Sequence, residues 1–250
     1  MTAYCIFRLY GPMASWGDIA VGEERHTWDH PSRSAIFGMV AAALGIRRGE
    51  EEVHTQLTSS YGFSVMVDSP GIPVIDYHTI QTPPQSQISR GNHFRTRRDE
   101  LCIPRHKLST IVSRRDYLCD MIATVCLWPR VDDPIYTPED IAAALREPTF
   151  ELFLGRKSCP LSLPVKAQVV DASSVMEAFQ RAAFDDGEFT QSLLGDQERV
   201  GLYWDGDTEA GVPSRHIASR RDRVVSRKRW LFGNRQERFA MVPAPHRGDV

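Results

Sequence analysis

The stretch Asp116–Trp128, DYLCDMIATVCLW, is rich in side chains that suit a buried strand, and the fold is read outward from it. Downstream, Thr137-Pro138-Glu139 opens a helix that runs to about Arg146, with proline in its first turn. Phe150–Leu154 reads as a further short strand. Upstream, the segment 68–115 carries Pro70, Pro73, Pro83, Pro84 and Pro104. Loops of that length are uncommon in compact domains unless they are functional. The β-favouring runs Val74–Ile80 and Leu108–Val112 predict an extended hairpin inside it.

Before that insertion, Tyr61, Phe63, Val65 and Val67 alternate along a strand, and Ala35–Ile46 sets apolar residues at helical spacing. Ser32 or Ser34 suits the helix N-cap. Ala3–Leu9 reads as a first strand, stopped by the Gly11-Pro12 turn. The order is strand, helix, strand, insertion, strand, helix, strand. This is an α+β chain with the ferredoxin-like βαββαβ pattern and an insertion at about 69–115 between the second and third strands. Beyond the turn-rich junction GRKSCPLSLPV, four segments predict a second, smaller, mostly β region. They are strands at Lys166–Val170, Val200–Trp204 and Arg238–Val242, and a short helix at Ser173–Ala182. The expected division is 1–160 and 161–250.

The chain has 250 residues, 42% of them apolar, enough for a sizeable core. The N-terminal MTAYCIFRLYGP has no basic leader or small-residue cleavage site, and the weakly polar run 35–46 is too short to span a bilayer. A cytoplasmic protein is expected, with no membrane partner. The five cysteines are scattered and include no C-x-x-C pair, which argues against a disulfide framework or a structural zinc site. The formal net charge of −2 conceals a strong segregation. Acidic residues gather at Glu50–Glu52, at Asp185, Asp186 and Glu188, and across 196–209. From Arg90 to Arg115 the cations Arg90, Arg95, Arg97, Arg98, Arg105, Lys107, Arg114 and Arg115 face only Asp99 and Glu100. Arg220, Arg221, Arg223, Arg227, Lys228 and Arg229 face Asp222 alone. Such local runs attract phosphates even on a protein that is neutral overall.

Few residues suggest catalysis. His26 and His30 stand four apart but lie in a polar stretch without a third ligand of obvious origin, so packing or surface roles are favoured over metal binding. No glycine-rich nucleotide motif, phosphate loop or nucleophile elbow is present, and Ser34, Ser158 and Ser219 lack an activating sequence context. Arg105-His106-Lys107 is the best candidate for metal-independent RNA cleavage, with histidine as base and lysine stabilising a phosphorane. Binding is favoured, because it needs charge alone whereas catalysis also needs tuned geometry. Gly155-Arg156-Lys157-Ser158 combines backbone N–H groups with two cations in a form that suits a phosphate. Gly11-Pro12-Met13 with Trp16 offers an apolar and aromatic platform for a flipped base.

Several segments together, in order, resemble the Cas-five family of the RAMP superfamily, found in type I-E CRISPR Cascade complexes. They are FRLYGPMASWG, HPSRSAIFGMVAAALGI, DYHTIQ, RRDYLCDMIATVCLW and, most specifically, LFLGRKSCPLSLP. The matching blocks span about residues 3–165, and a looser match covers the basic stretch Arg220–Trp230. The resemblance implies an RRM-related domain with a hairpin thumb and no cofactor, metal or catalytic residue. It implies binding to the 5′ handle of the crRNA, contacts with a CasC-type backbone subunit and a CasA-type large subunit, and target DNA reached only through the complex. Gly11, Pro12, Met13, Trp16, Arg33 and Ser34 would line the handle site. Gly155, Arg156, Lys157 and Ser158 would hold handle phosphates. Arg90, Arg95, Arg97, Arg98, Arg105 and Lys107 would belong to the thumb. Relatives in type I-C systems cut the precursor RNA, which keeps the His106–Lys107 reading as an alternative.

Overall fold

The computed structural model describes all residues except 19, 21, 89–93, 185–186 and 246–250, so the predicted site residue Arg90 lies outside the described residues, as do Asp185 and Asp186. The chain begins with β1 (Thr2–Tyr10), the short β2 (Met13–Ala14) and β3 (Glu24–Arg25), and two helices, α1 (Arg33–Ala43) and α2 (Glu51–Ser60). Then follow β4 (Tyr61–Ser69), β5 (Ile72–Thr82), α3 (Gln85–Ile88), α4 (Arg97–Leu101), a 3₁₀ turn (Arg105–Lys107), β6 (Ser109–Cys119) and β7 (Ile122–Pro129). After α5 (Pro138–Arg146) come β8 (Gln168–Ala172), α6 (Val175–Arg181), α7 (Glu188–Leu194), β9 (Arg199–Asp205), β10 (His216–Ser226) and β11 (Leu231–Pro243).

Seven strands form one sheet in the order β10-β11-β9-β4-β7-β1-β8, with every neighbouring pair antiparallel. The central strands are mostly apolar because both of their faces are covered, with Arg8, Ser64, Asp68 and Thr124 buried among them. Successive side chains on a strand point to opposite sides. Cys5, Phe7 and Leu9 therefore join Phe63, Val65, Val125 and Leu127 in the core beneath α1 and α5. Tyr4 and Ile6 join Met66, Cys126 and Trp128 in a second core beneath α6. The helix starts are locally encoded. Ser32 Oγ accepts the Ala35 N–H, and Thr137 and Asp140 form a reciprocal capping box with Pro138 at the first helical position.

A second, smaller sheet is centred on β6, which pairs antiparallel with β5 along its length and with β2, and parallel with β3. Ile72 through Thr82 face Cys119 through Ser109 in unbroken register, a long two-stranded ribbon.

Two expectations are corrected. Asp116–Trp128 is not one strand but the end of β6 and most of β7, one in each sheet, joined through Asp120 at φ 56°. A short polar side chain tolerates that left-handed conformation. Phe150–Leu154 is not a strand. The Thr149 and Phe150 N–H groups bond the carbonyls of Ala43 and Ala42 at the end of α1, leaving a single bridge between Phe153 and Pro160. Its expected place beside β1 belongs to β8. Helix α2 and strand β10 are additions that the sequence reading lacked. Among the described residues no helix is long and apolar enough to cross a membrane.

Candidate nucleic-acid interface

The segment after β1 and the segment after α5 interlock. Ser15 N–H donates to the Leu154 carbonyl at 3.0 Å, Ser162 N–H to Tyr10 at 3.0 Å, and Arg8 N–H to Val165 at 3.1 Å. Two glycines make the approach possible. A Cβ on Gly11 would lie 2.6 Å from the Pro160 carbonyl oxygen and 2.8 Å from Leu154 Cδ1. Gly155 has φ +88°, and a Cβ there would overlap the Ser15 carbonyl. The 154–159 loop closes on itself through Leu154 N–H to Cys159 O at 2.7 Å and Cys159 N–H to Arg156 O at 2.9 Å. Gly11–Met13 and Gly155–Ser158 are thus brought together, with Pro12, Met13, Lys157 and Ser158 exposed.

Arg156 is more committed than its neighbours. Its Nη1 donates to the Asp116 carbonyl at 3.2 Å, its Nη2 to that of Arg25 at 2.8 Å, and its guanidinium lies 4.9 Å from the Tyr117 ring centre. Burial alone would raise the Tyr117 hydroxyl pKa, but hydrogen bonding with Ser158 and Arg156, and the Arg156 charge, bring it below the ordinary tyrosine value. Arg156 therefore fixes β6 and β3 against the loop and adds positive charge, while Lys157 is exposed and has no ion-pair partner among the described residues. Arg25 and Arg114, both exposed at the same edge, escaped the sequence reading of the site because each sits singly among acidic neighbours or within the longer basic run.

Two predicted site residues are corrected. Trp16 is only 4% exposed and its indole N–H donates to Met121 Sδ at 3.0 Å, so it is a core residue and not a stacking platform. Arg33 is buried at the start of α1. It donates to the Thr58 and Tyr61 carbonyls at 2.7 and 2.9 Å and to Asp205 at 3.4 Å, and its backbone N–H bonds Asp222. Its guanidinium is taken up by these partners rather than presented to a phosphate. Ser34 is half-buried, its hydroxyl against Ser32 and its carbonyl bonded by Arg227.

Arg33 belongs to a buried network that sequence reading missed. Arg235 donates to Asp222 at 2.6 and 2.9 Å, to Asp205 at 3.3 Å and to Glu237. Glu237 also receives His30 Nε2–H at 2.9 Å and Arg220 Nη1 at 3.2 Å. His30 stacks on Tyr203 with ring centres 3.6 Å apart. His26 lies elsewhere, bonded to Asp116 and Glu24, and no cluster of metal-ligating side chains exists among the described residues.

At the far end of the β5–β6 ribbon, Arg95, Arg98, Arg105, His106 and Lys107 are exposed. Arg97 is partly engaged, by Glu100 at 2.5 Å and by the Gln81 carbonyl. A capping box between Thr96 and Asp99 orders α4 locally.

With this geometry in hand, the sequence matches the family described as CRISPR-associated protein (Cas_Cas5) over residues 4–237. The chain belongs to the Cas5 family of CRISPR-associated proteins. It is 32% identical over 186 residues to the CRISPR system Cascade subunit CasD of Escherichia coli strain K12, covering 71% of this chain and 76% of that one. A chain of a solved CRISPR RNA-guided surveillance complex superposes with a TM-score of 0.64 at 29% identity, covering 96% of this chain and 91% of the other. A crystal structure of a Cas protein, 22% identical, shares the fold with a TM-score of 0.61, covering 96% and 95%. The mixed α+β architecture, with its predominantly antiparallel sheets, is therefore shared with these two structures.

Proposed function

We propose that this Cas5 protein is a non-catalytic subunit of a type I-E Cascade complex that binds and caps the 5′ handle of the crRNA and helps organise the backbone filament. The observation that carries the reading is the interlocked glycine junction. It combines backbone so close that a Cβ is excluded with an exposed Lys157 and Ser158 on one side and the exposed Pro12–Met13 turn on the other. That pairing of accessible backbone and cation suits a phosphate. The likeness to CasD, named as a Cascade subunit, supports the same role.

In this reading β1, α1, β4, β7, α5 and β8 form the ferredoxin-like core, since β4-β7-β1-β8 is the strand order of a split βαβ pair. The β5–β6 ribbon with its terminal helices is the thumb. The smaller β-rich region expected at 161–250 lends β8 to that core and keeps β9, β10 and β11, which hydrogen-bond into the same sheet. The CasC-type backbone subunit and the CasA-type large subunit are the protein partners, and the cytoplasm is the compartment.

Two experiments test this. Incubating the purified chain with repeat RNA in EDTA is expected to leave the RNA intact; cleavage that disappears in His106→Ala would establish the endoribonuclease alternative. Replacing Arg95 and Arg98 with Ala is expected to weaken guide binding and to flatten the plot of log affinity against log salt by about 0.7 for each phosphate no longer neutralised. Adding Arg97→Ala is expected to change little, because its guanidinium is held by Glu100 and Gln81. An unchanged slope in the double variant would remove the thumb from the interface.

A further inference from the structure

The β10–β11 hairpin ends in a turn, 226–231, that the handle site does not use. Trp230 holds φ 56°, a conformation costly for a bulky side chain, and is 57% exposed. The turn is braced from below. Glu51, in the first turn of α2, accepts the Ser226 hydroxyl and the Lys228 N–H at 2.9 Å, and Ser226 Oγ accepts the Arg229 N–H at 3.0 Å. Arg227 is wedged along α1, donating to the Ser34 carbonyl at 2.6 Å, with its guanidinium 2.7 Å from where a Cβ on Gly38 would stand.

Cations converge on the indole. Arg48 lies 4.7 Å and Arg227 5.7 Å from the Trp230 ring centre, and Arg48 Nε donates to the Arg227 carbonyl. Arg47, Lys228 and Arg229 are exposed beside them. Among the described residues none of these five side chains has an ion-pair partner. Burial and the neighbouring Arg48 charge both depress the Arg227 pKa, so two like charges share one ring without a carboxylate between them. In the adjacent cleft of about 660 Å³, Arg33, Arg130 and Arg235 are each paired with aspartate, while Arg223 has no ion-pair partner among the described residues.

We infer that Trp230 and its collar of Arg47, Arg48, Arg227, Lys228 and Arg229 form a second contact site for a single-stranded polynucleotide, separate from the glycine junction. An exposed aromatic ring set among unpaired cations offers a face for a base and charge for the flanking phosphates. Neither feature reads a particular base, so the site takes strands without sequence preference. The strand is either RNA, as a guide beyond its handle, or DNA, as a strand displaced from a duplex.

Fluorescence anisotropy of the full chain with oligo-U and oligo-dT that lack repeat sequence tests this. Trp230→Ala is expected to lower affinity about tenfold for the strand the site accepts, Trp230→Phe to retain most of it, and handle RNA binding to stay within twofold. A drop confined to oligo-U assigns the site to RNA, and one confined to oligo-dT assigns it to DNA. Arg229→Gln with Lys228→Gln, which removes no packing, is expected to flatten the salt slope on the same strand. Unchanged affinity in Trp230→Ala together with an unchanged slope in the double variant would overturn the site.

Discussion

Truncating Glu237 to alanine is expected to cost the fold about 3–5 kcal/mol, read as a lowered urea midpoint at constant slope. Glu237 is 4% exposed and is the anion on which His30, Arg220 and Arg235 converge. Removing it leaves Arg220, 2% exposed, with no carboxylate at ion-pair distance among the described residues, and deprives Arg235 of one of three. The cost arises from the cations left behind, as an uncompensated buried charge is far more expensive than an absent pair. Glu237→Gln keeps the shape but sets an NH2 group against a donor in place of one acceptor oxygen, and is expected to fall between the wild type and Glu237→Ala.

The same network sets an acid limit. Burial alone would raise the Glu237 pKa, but the hydrogen bond and charge of His30, with the charges of Arg235 and Arg220, bring it down to about 2. An unfolded glutamate titrates near ~4.3, so folding favours the ionised form by roughly 3 kcal/mol. That contribution is fully present above pH ~4.3 and is lost as the pH falls toward 2. Stability of the wild type is expected to drop across this window, and that of Glu237→Gln to drop less.

Why this network was invisible in the sequence follows from β10. Its inward positions are Arg220 and Asp222, and its outward ones include Ile217 and Val225, each at least half exposed. Polarity is thus inverted relative to an ordinary half-buried strand, and HIASRRDRVVS reads as a solvated charge run. The partners Arg235 and Glu237 come from the next strand, a pairing that local pattern does not reveal. Helix α2 was missed for a simpler reason. EEVHTQLTSS is rich in Thr and Ser, poor helix formers, and buries only His54, Leu57 and Ser60. By contrast, β1 and β4 were legible from their apolar and aromatic residues bounded by turn signals, and α1 from apolar residues at helical spacing behind the Ser32 cap. The glycine junction was legible as chemistry but not as geometry. The sequence paired glycine with cations, yet placed Trp16 and Arg33 at a surface where they do not stand.

That junction supplies the second large effect. Gly155→Ala forces a side chain into φ +88° and drives its Cβ into the Ser15 carbonyl, a backbone group that cannot swing aside. Left-handed strain of about 1–2 kcal/mol and overpacking of about 1–3 kcal/mol together predict a loss of roughly 2–5 kcal/mol. Gly49→Ala is the control, since its φ lies outside the left-handed region and nothing lies within 4 Å of the added Cβ; it is expected to be near neutral. Gly11→Ala strikes the same junction from the other strand, against the Pro160 carbonyl at 2.6 Å. If the two glycines serve one approach, the first substitution already parts the segments and the second adds little, so the double variant should be markedly less destabilised than the sum of the singles. Handle RNA affinity should follow the same subadditive pattern, because Lys157 and Ser158 ride on the displaced loop. Strict additivity would mean that the two glycines act at separate places, and the junction would no longer account for the site.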